Sequence, residues 1–146
     1  MLEMVVFAAH LVQPPQLEWS ERKRLLRERV TAVVAAANEM YCRDDPAPHP
    51  VLERLPNAHG RYDHAFGRLS LDLESVNDPG KFWHVINETI AHEWAHHLNR
   101  RINASRNHGR DFNALLAALR NGAKGGANGY CDRSALASSS AVSRSR

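Results

Sequence analysis

From Lys81 to Arg100 the chain runs without a glycine or proline, and Phe82, Ile86, Ile90, Trp94 and Leu98 recur at every fourth position. That spacing predicts one long helix with a buried apolar stripe. It also fixes where chemistry can sit, because His92-Glu93-Trp94-Ala95-His96 lies inside the helix. Residues i and i+4 share a helix face about one turn apart, so the two imidazoles can reach one ion. Zinc takes nitrogen donors in a tetrahedral arrangement, and a catalytic zinc keeps three protein ligands and one open position. Glu93, beside the first histidine, is placed to take a proton from a water there and to return it to a leaving amine.

The third ligand is narrowed by what the chain lacks. No glutamate follows Glu93, which excludes a carboxylate supplied by a downstream helix. Asn99 and Ile102 stand where an extended HExxHxxGxxH motif would carry Gly and His, and no methionine follows Met40. His97 is turned about 100° from His96 around the helix and cannot easily share its ion. His108, Asp111 and, more remotely, Cys131 or Asp132 remain. His108 fits best: the link from His97 to Asn107 is long enough to end the helix and return, and Gly109 permits a bend after the ligand. Asp111 could ligate instead, or orient His108.

Around this centre the sequence divides readily. Leu17 to Met40 places Trp19, Leu26, Val30, Val33 and Ala37 on one stripe, an amphipathic helix. Glu21 and Glu28 among Arg22, Lys23, Arg24, Arg27 and Arg29 favour a salt-bridged face over a DNA-binding one. Cys42 to Asn57 holds four prolines and reads as an exposed loop or irregular edge. Gly67 to Leu73 alternates apolar and polar residues, a half-buried strand whose edge could receive an extended peptide. Arg110 to Arg120, with Phe112, Leu115, Leu116 and Leu119, predicts a closing helix stopped by Asn121-Gly122. One domain over 1–122 is expected, with Met1 to Val12 as its first element and no signal peptide. Residues 123–146, rich in Gly, Ala and Ser, are expected to be a disordered basic tail.

Further residues have claims near the centre. Tyr62, His64 and His59 could stabilise an oxyanion, and their alternative is packing or surface. Arg100, Arg101, Arg106 and Arg110 crowd the link between the histidines, where they could attract phosphate or an acidic substrate or simply cap a helix end. Trp83 and Trp94 read as core or pocket wall, and His84 as exposed or supporting.

Charge and cysteine content narrow the setting. The net charge of +3 resides in the tail, where Lys124, Arg133, Arg144 and Arg146 face one acid, Asp132, so it is weak evidence for a nucleic-acid surface on the body, where local clusters matter more. No apolar run reaches membrane-spanning length, so no membrane partner is expected. Cys42 and Cys131 are far apart with no CxxC pair, which argues against a disulfide framework and suits a reducing, cytoplasmic compartment.

His92-Glu93-Trp94-Ala95-His96, eleven residues, then His108-Gly109-Arg110-Asp111-Phe112 resembles the SprT-like metallopeptidases, whose core is HExxH followed by HGxxF or HGxxW. With the preceding strand and N-terminal helix in the family's order, the resemblance covers roughly residues 17 to 120. It implies an α+β, small zincin-like domain: an amphipathic N-terminal helix, a short antiparallel or mixed sheet, the HExxH active-site helix and a C-terminal helix. It implies one zinc ion on His92, His96 and His108, Glu93 as general base, and Asp111, Arg110, Tyr62 and His64 as supporting or substrate residues. The implied substrate is protein, DNA-bound or DNA-crosslinked, with DNA contacted through Arg100, Arg101, Arg106 or the tail. Many relatives continue into a cysteine-paired zinc ribbon, where this chain has only Cys131. Its short length would suit a phage or mobile element acting in the host cytoplasm or at the nucleoid. The alternative of another class is a non-catalytic protein- or DNA-binding module braced by a structural zinc.

Overall fold

Helix α1 (Trp19–Tyr41) realises the first apolar repeat: Leu26, Val30, Val33, Val34, Ala37 and Met40 are buried along one side. The structure is a computed structural model that describes residues 17–122. The expected first element at Met1 to Val12 and the tail from 123 lie outside the described residues. Trp19, expected on the buried stripe, is 37% exposed and lies beneath the Lys23 ammonium rather than against the core. On the opposite side Arg24 pairs with Glu21 and Glu28, the expected salt-bridged face. Arg22 donates to the carbonyls of Val76 and Asn77, and Arg29 to that of Ile86; both flank the buried stripe and tie the helix to the segment before the histidines. The helix ends at Cys42, which takes a left-handed conformation. Cys42 is disulfide-bonded, so the expectation of a reducing compartment loses the support it drew from isolated cysteines.

Three short strands follow. They are β1 (Val51–Glu53), β2 (Gly60–Asp63) and β3 (Arg68–Asp72), in the order β1-β3-β2. β1 runs parallel to β3, with Leu52 opposite Leu71, and β2 runs antiparallel to it, with Tyr62 opposite Leu69. The proline-rich stretch thus contains a strand, held between Pro50 and Pro56 on the outside of the sheet, where missing N–H groups cost least. The strand expected over Gly67–Leu73 is β3, and it is central, so it has no free edge for a substrate. Leu69, Ser70, Leu71 and Asp72 are all buried rather than alternating, because the strand is covered on both faces.

Leu73 leaves the sheet. Asp72 caps the short helix α2 (Leu73–Asn77) by accepting from the Ser75 N–H, and Asp78 caps α3 (Pro79–His84) with Pro79 in its first turn. The long helix expected over Lys81–Arg100 is continuous in direction but not in winding. A π-helical turn, Val85–Thr89, separates α3 from α4 (Ile90–Asn103). The extra residue rotates the face, so Val85 is fully buried while Ile86 is only partly so. Trp83, expected in the core or a pocket wall, is 40% exposed. Trp94 and Leu98 are buried as expected, and full burial of side chains of this kind is worth about 1.5–3 kcal/mol each.

Helix α5 (Arg110–Gly122) packs along α4 through Phe112, Leu115, Leu116 and Leu119. It runs to Gly122, within the expected Asn121-Gly122 stop and at the last described residue. The fold is therefore α+β, with α4 held between α1, α5 and strand β2. Among the described residues no helix is long and apolar enough to cross a membrane.

Candidate metal centre

Two features of the chain bring the three histidines together. His92 and His96 are one turn apart on α4, and a reversal after Asn103 returns the chain to them. Ala104 makes that reversal in the left-handed conformation (φ 52°), and the Ser105 N–H donates to the Asn99 carbonyl at 3.2 Å. The buried Asn99 side chain donates to the Asn107 carbonyl at 3.1 Å and accepts from the Asn103 amide at 3.0 Å. Asn99 thus fastens the backbone immediately before His108. Gly109, expected to supply the bend, has no left-handed φ, and a side chain there would meet nothing within 4 Å.

The Nε2 atoms of His92 and His96 are 3.2 Å apart, and those of His96 and His108 are 2.8 Å apart. All three donor atoms lie within 4.8 Å of one another, and no other such group of His, Cys, Asp or Glu occurs among the described residues. The Phe112 ring closes the cluster from α5, at 4.5 Å from His96, 4.6 Å from His108 and 5.1 Å from His92. Burial, the neighbouring His108 and Arg120 lower the pKa of His92. Burial, with His92, His108 and His64, pushes His96 down to about 4. Near neutrality His92 and His96 are held unprotonated, and the Nε2 of His96 faces those of both His92 and His108, which one shared proton cannot satisfy. A cation resolves that conflict. Two nitrogens bonded tetrahedrally to zinc at about 2 Å stand about 3.3 Å apart, close to the spacing of His92 and His96.

Glu93 faces the same opening but is buried, at 8% exposure. Burial raises its pKa to about 7, opposed by one hydrogen bond from the Tyr62 backbone N–H. Strand β2 crosses α4 so closely here that Gly60 has no room for a side chain: a Cβ would lie 2.6 Å from Thr89 Cγ2 and 3.1 Å from Glu93 Cγ. A cleft of about 460 Å³ opens beside them, lined by residues that include His59, Gly60, His84, Thr89, His92 and Glu93. Arg120 and Glu88 pair at its border.

No family model, curated protein or solved structure matches the chain.

The remaining sequence candidates separate by position. Asp111 and Arg110 are exposed in the first turn of α5, and Asp111 is outside the converging group. Cys131 and Asp132 lie outside the described residues. His97 points away from the cluster: it is buried, stacks on Trp94 at 4.2 Å and lies 3.4 Å from Asp45. Tyr62 contacts Trp94, His97 and His64 edge-on, and burial raises its hydroxyl pKa. His64 is half-buried, and burial with Arg100 and Arg106 nearby lowers its pKa. His84 is exposed, with its ring 5.1 Å from that of His59.

His59 is better placed than its sequence context suggested. Its Nδ1 lies 2.8 Å from Ser75 Oγ, whose hydroxyl is already committed to Asp72 Oδ2 at 2.7 Å. Nδ1 must therefore carry the proton, which leaves Nε2 as an acceptor on a residue lining the cleft. In that tautomer Nε2 accepts a hydrogen bond and has no proton to offer an oxyanion. A lone histidine before a strand gave no sign of this; the only sequence signal was Asp72-x-x-Ser75, a helix-capping pattern.

Proposed function

We propose that this chain is a zinc-dependent endopeptidase, a small zincin-like domain of the SprT-like type, with one zinc ion on His92, His96 and His108. The observation that carries the reading is the convergence of three imidazoles, His92, His96 and His108, next to a buried carboxylate, with His92 and Glu93 on the wall of an open cleft. Held there, zinc would polarise a water and the substrate carbonyl and lower the barrier to forming the nucleophile.

The chain's own residues divide the rest of the work. Glu93 takes the proton from the attacking water and delivers it to the leaving amine, a role suited to a group whose pKa lies near neutrality. A bound cation draws that pKa down, so its elevation by burial keeps the carboxylate basic enough to act. Tyr62 fixes the carboxylate through its N–H. The outer edge of β2 is unpaired with any described strand and passes over Glu93, so an extended substrate can lie along it in the cleft. His59 Nε2 accepts from a backbone N–H of that substrate. Structural zinc sites are closed by four ligands, and three converge here among the described residues, which favours the enzyme over a zinc-braced binding module. DNA-bound protein is the substrate class that the SprT-like resemblance implies.

Zinc content, measured with cleavage of casein and of DNA-bound protein, tests this reading in wild type and Glu93→Gln, with and without single-stranded DNA. Zinc near one per chain in both, with cleavage by wild type alone, supports it, and stimulation by DNA supports the DNA-bound substrate. Zinc without cleavage under any condition turns the reading to the binding module. Absence of zinc overturns it.

A further inference from the structure

A second cleft, of about 520 Å³, shares no lining residue with the first. Tyr62, His64, His97, Arg100, Arg101 and Arg106 line it, and no carboxylate does. Elsewhere the described arginines are largely spoken for: Arg24, Arg43, Arg54, Arg61 and Arg120 pair with acids, and Arg22 and Arg29 cap carbonyls. Arg100, Arg101 and Arg106 have no acidic partner among the described residues, and three such cations facing one concavity repel one another unless an anion enters. The nearest acids are turned aside. Asp45 is paired to Arg43 behind His97, and Asp63 accepts the N–H groups of Ala65 and Phe66.

Position decides what kind of anion belongs there. Tyr62 lies at both sites, its ring on this cleft and its N–H on Glu93, and His64 is close enough to His96 to lower its pKa. A chain lying on the outer edge of β2 runs from Gly60 beside Glu93 past Tyr62, which lines this cleft, so its side chains enter within a few residues of the reacting bond. The volume suits one or two carboxylate side chains. A nucleic-acid backbone needs an extended basic stripe, and the other unpaired arginines, Arg27, Arg68 and Arg110, do not line this cleft. We propose that this cleft is a specificity pocket for an acidic side chain of the peptide, on one side of the scissile bond. The arginine guanidinium groups would bind its carboxylate in the fork geometry that favours arginine over lysine. The inference rests on the peptidase reading for its placement, although binding can be measured without catalysis.

The test uses the full zinc-loaded chain and a set of fluorescent peptides carrying Glu, Ala or Lys at each position flanking a common sequence. Cleavage should favour Glu over Ala by about tenfold at one fixed position, about the discrimination that one charged hydrogen-bonded contact supplies. Anisotropy with Glu93→Gln should show the same order of binding, and Arg100→Glu/Arg106→Glu should invert it toward Lys. Arg100→Ala/Arg106→Ala, which should only flatten the preference, guards against a reversal variant that fails to fold. Cleavage and binding indifferent to charge would overturn the pocket and leave the peptidase reading intact. Acidic-peptide binding that the arginine variants abolish, with no cleavage of any peptide, would keep the pocket and remove the peptidase. Displacement of the acidic peptide by a single-stranded oligonucleotide that binds more tightly than the peptide would assign the cleft to phosphate and overturn the proposal.

Discussion

Asp72 and Glu93 are both buried carboxylates within the same small domain, yet their surroundings drive them in opposite directions. Burial works to raise the pKa of Asp72, but donors from Leu55 N–H, the Ser75 hydroxyl and N–H, and the Glu74 N–H outweigh it and hold the pKa low. Burial also raises that of Glu93, and one donor, Tyr62 N–H, is too little to reverse it. A carboxylate saturated with donors is a structural strut, since its lone pairs are used and its proton is gone. One left with spare lone pairs beside an opening is available to chemistry, and the fold bears the cost of its burial.

If that contrast is right, the two residues should fail in different assays. Glu93→Gln should reduce peptide cleavage by about 10³-fold or more, the loss of a general base, while zinc content and thermal stability stay at or above wild type. Retained cleavage in a zinc-loaded Glu93→Gln protein would erase the distinction. Asp72→Ala should do the reverse. It strands the buried Leu55 N–H and uncaps α2, and is expected to cost about 2–4 kcal/mol by denaturant unfolding, with kcat per folded molecule changed far less. Loss of activity without loss of stability would make Asp72 part of the reaction.

Gly60→Ala should disturb both, because its Cβ would collide with Thr89 and press on Glu93. About 1–3 kcal/mol of destabilisation is expected from such overpacking, with a fall in kcat as Glu93 shifts. Gly109→Ala is the matched control, with open space around its Cβ. The pH dependence of stability isolates Asp72. Its folded pKa lies below the unfolded value, so its contribution is full above the unfolded carboxylate range and is lost as pH falls through the folded pKa. Asp72→Asn should therefore flatten the acid limb of unfolding midpoint against pH, and an unchanged limb would show that Asp72 carries little of it.

The sequence disclosed the strut and the base unequally, for physical reasons. His92, Glu93, His96 and the return of His108 were legible because helical period and loop length are local properties; α1 and α5 followed from the same period, and the position of β3 from a two-residue alternation that its burial on both faces does not keep. β1 and β2 were not: each is three or four residues long, one lies between prolines, and each gains stability from pairing with β3 rather than from its own residues. The free edge was consequently assigned to the strand that turned out to be central. The π-helical turn at Val85–Thr89 has no composition signal, and it moved Ile86 partly out of the predicted stripe. The arginines between the histidines were visible as a cluster, but whether they faced a cavity or capped a helix depended on how β2 packs on α4.

The smallest effect lies where the two carboxylate regions meet. Asp72 reaches the cleft through Ser75 and His59, so the strut that steadies the fold also sets a tautomer on the cleft wall. His59→Ala removes one exposed acceptor and the Nδ1–H bond to Ser75 Oγ but no apolar core contact, so stability should fall by no more than about 1.5 kcal/mol. If Nε2 receives a substrate N–H, KM should rise about three- to tenfold, the worth of one hydrogen bond, with kcat little changed. Ser75→Ala should reproduce part of that rise by freeing the ring's tautomer, and His59→Asn, which keeps a polar group there, should recover part of it. A fall in kcat at unchanged KM would place His59 at the reacting bond instead, as a proton donor. The separation drawn between the two carboxylates would then fail, since Asp72 would be acting on the chemistry through Ser75 and His59.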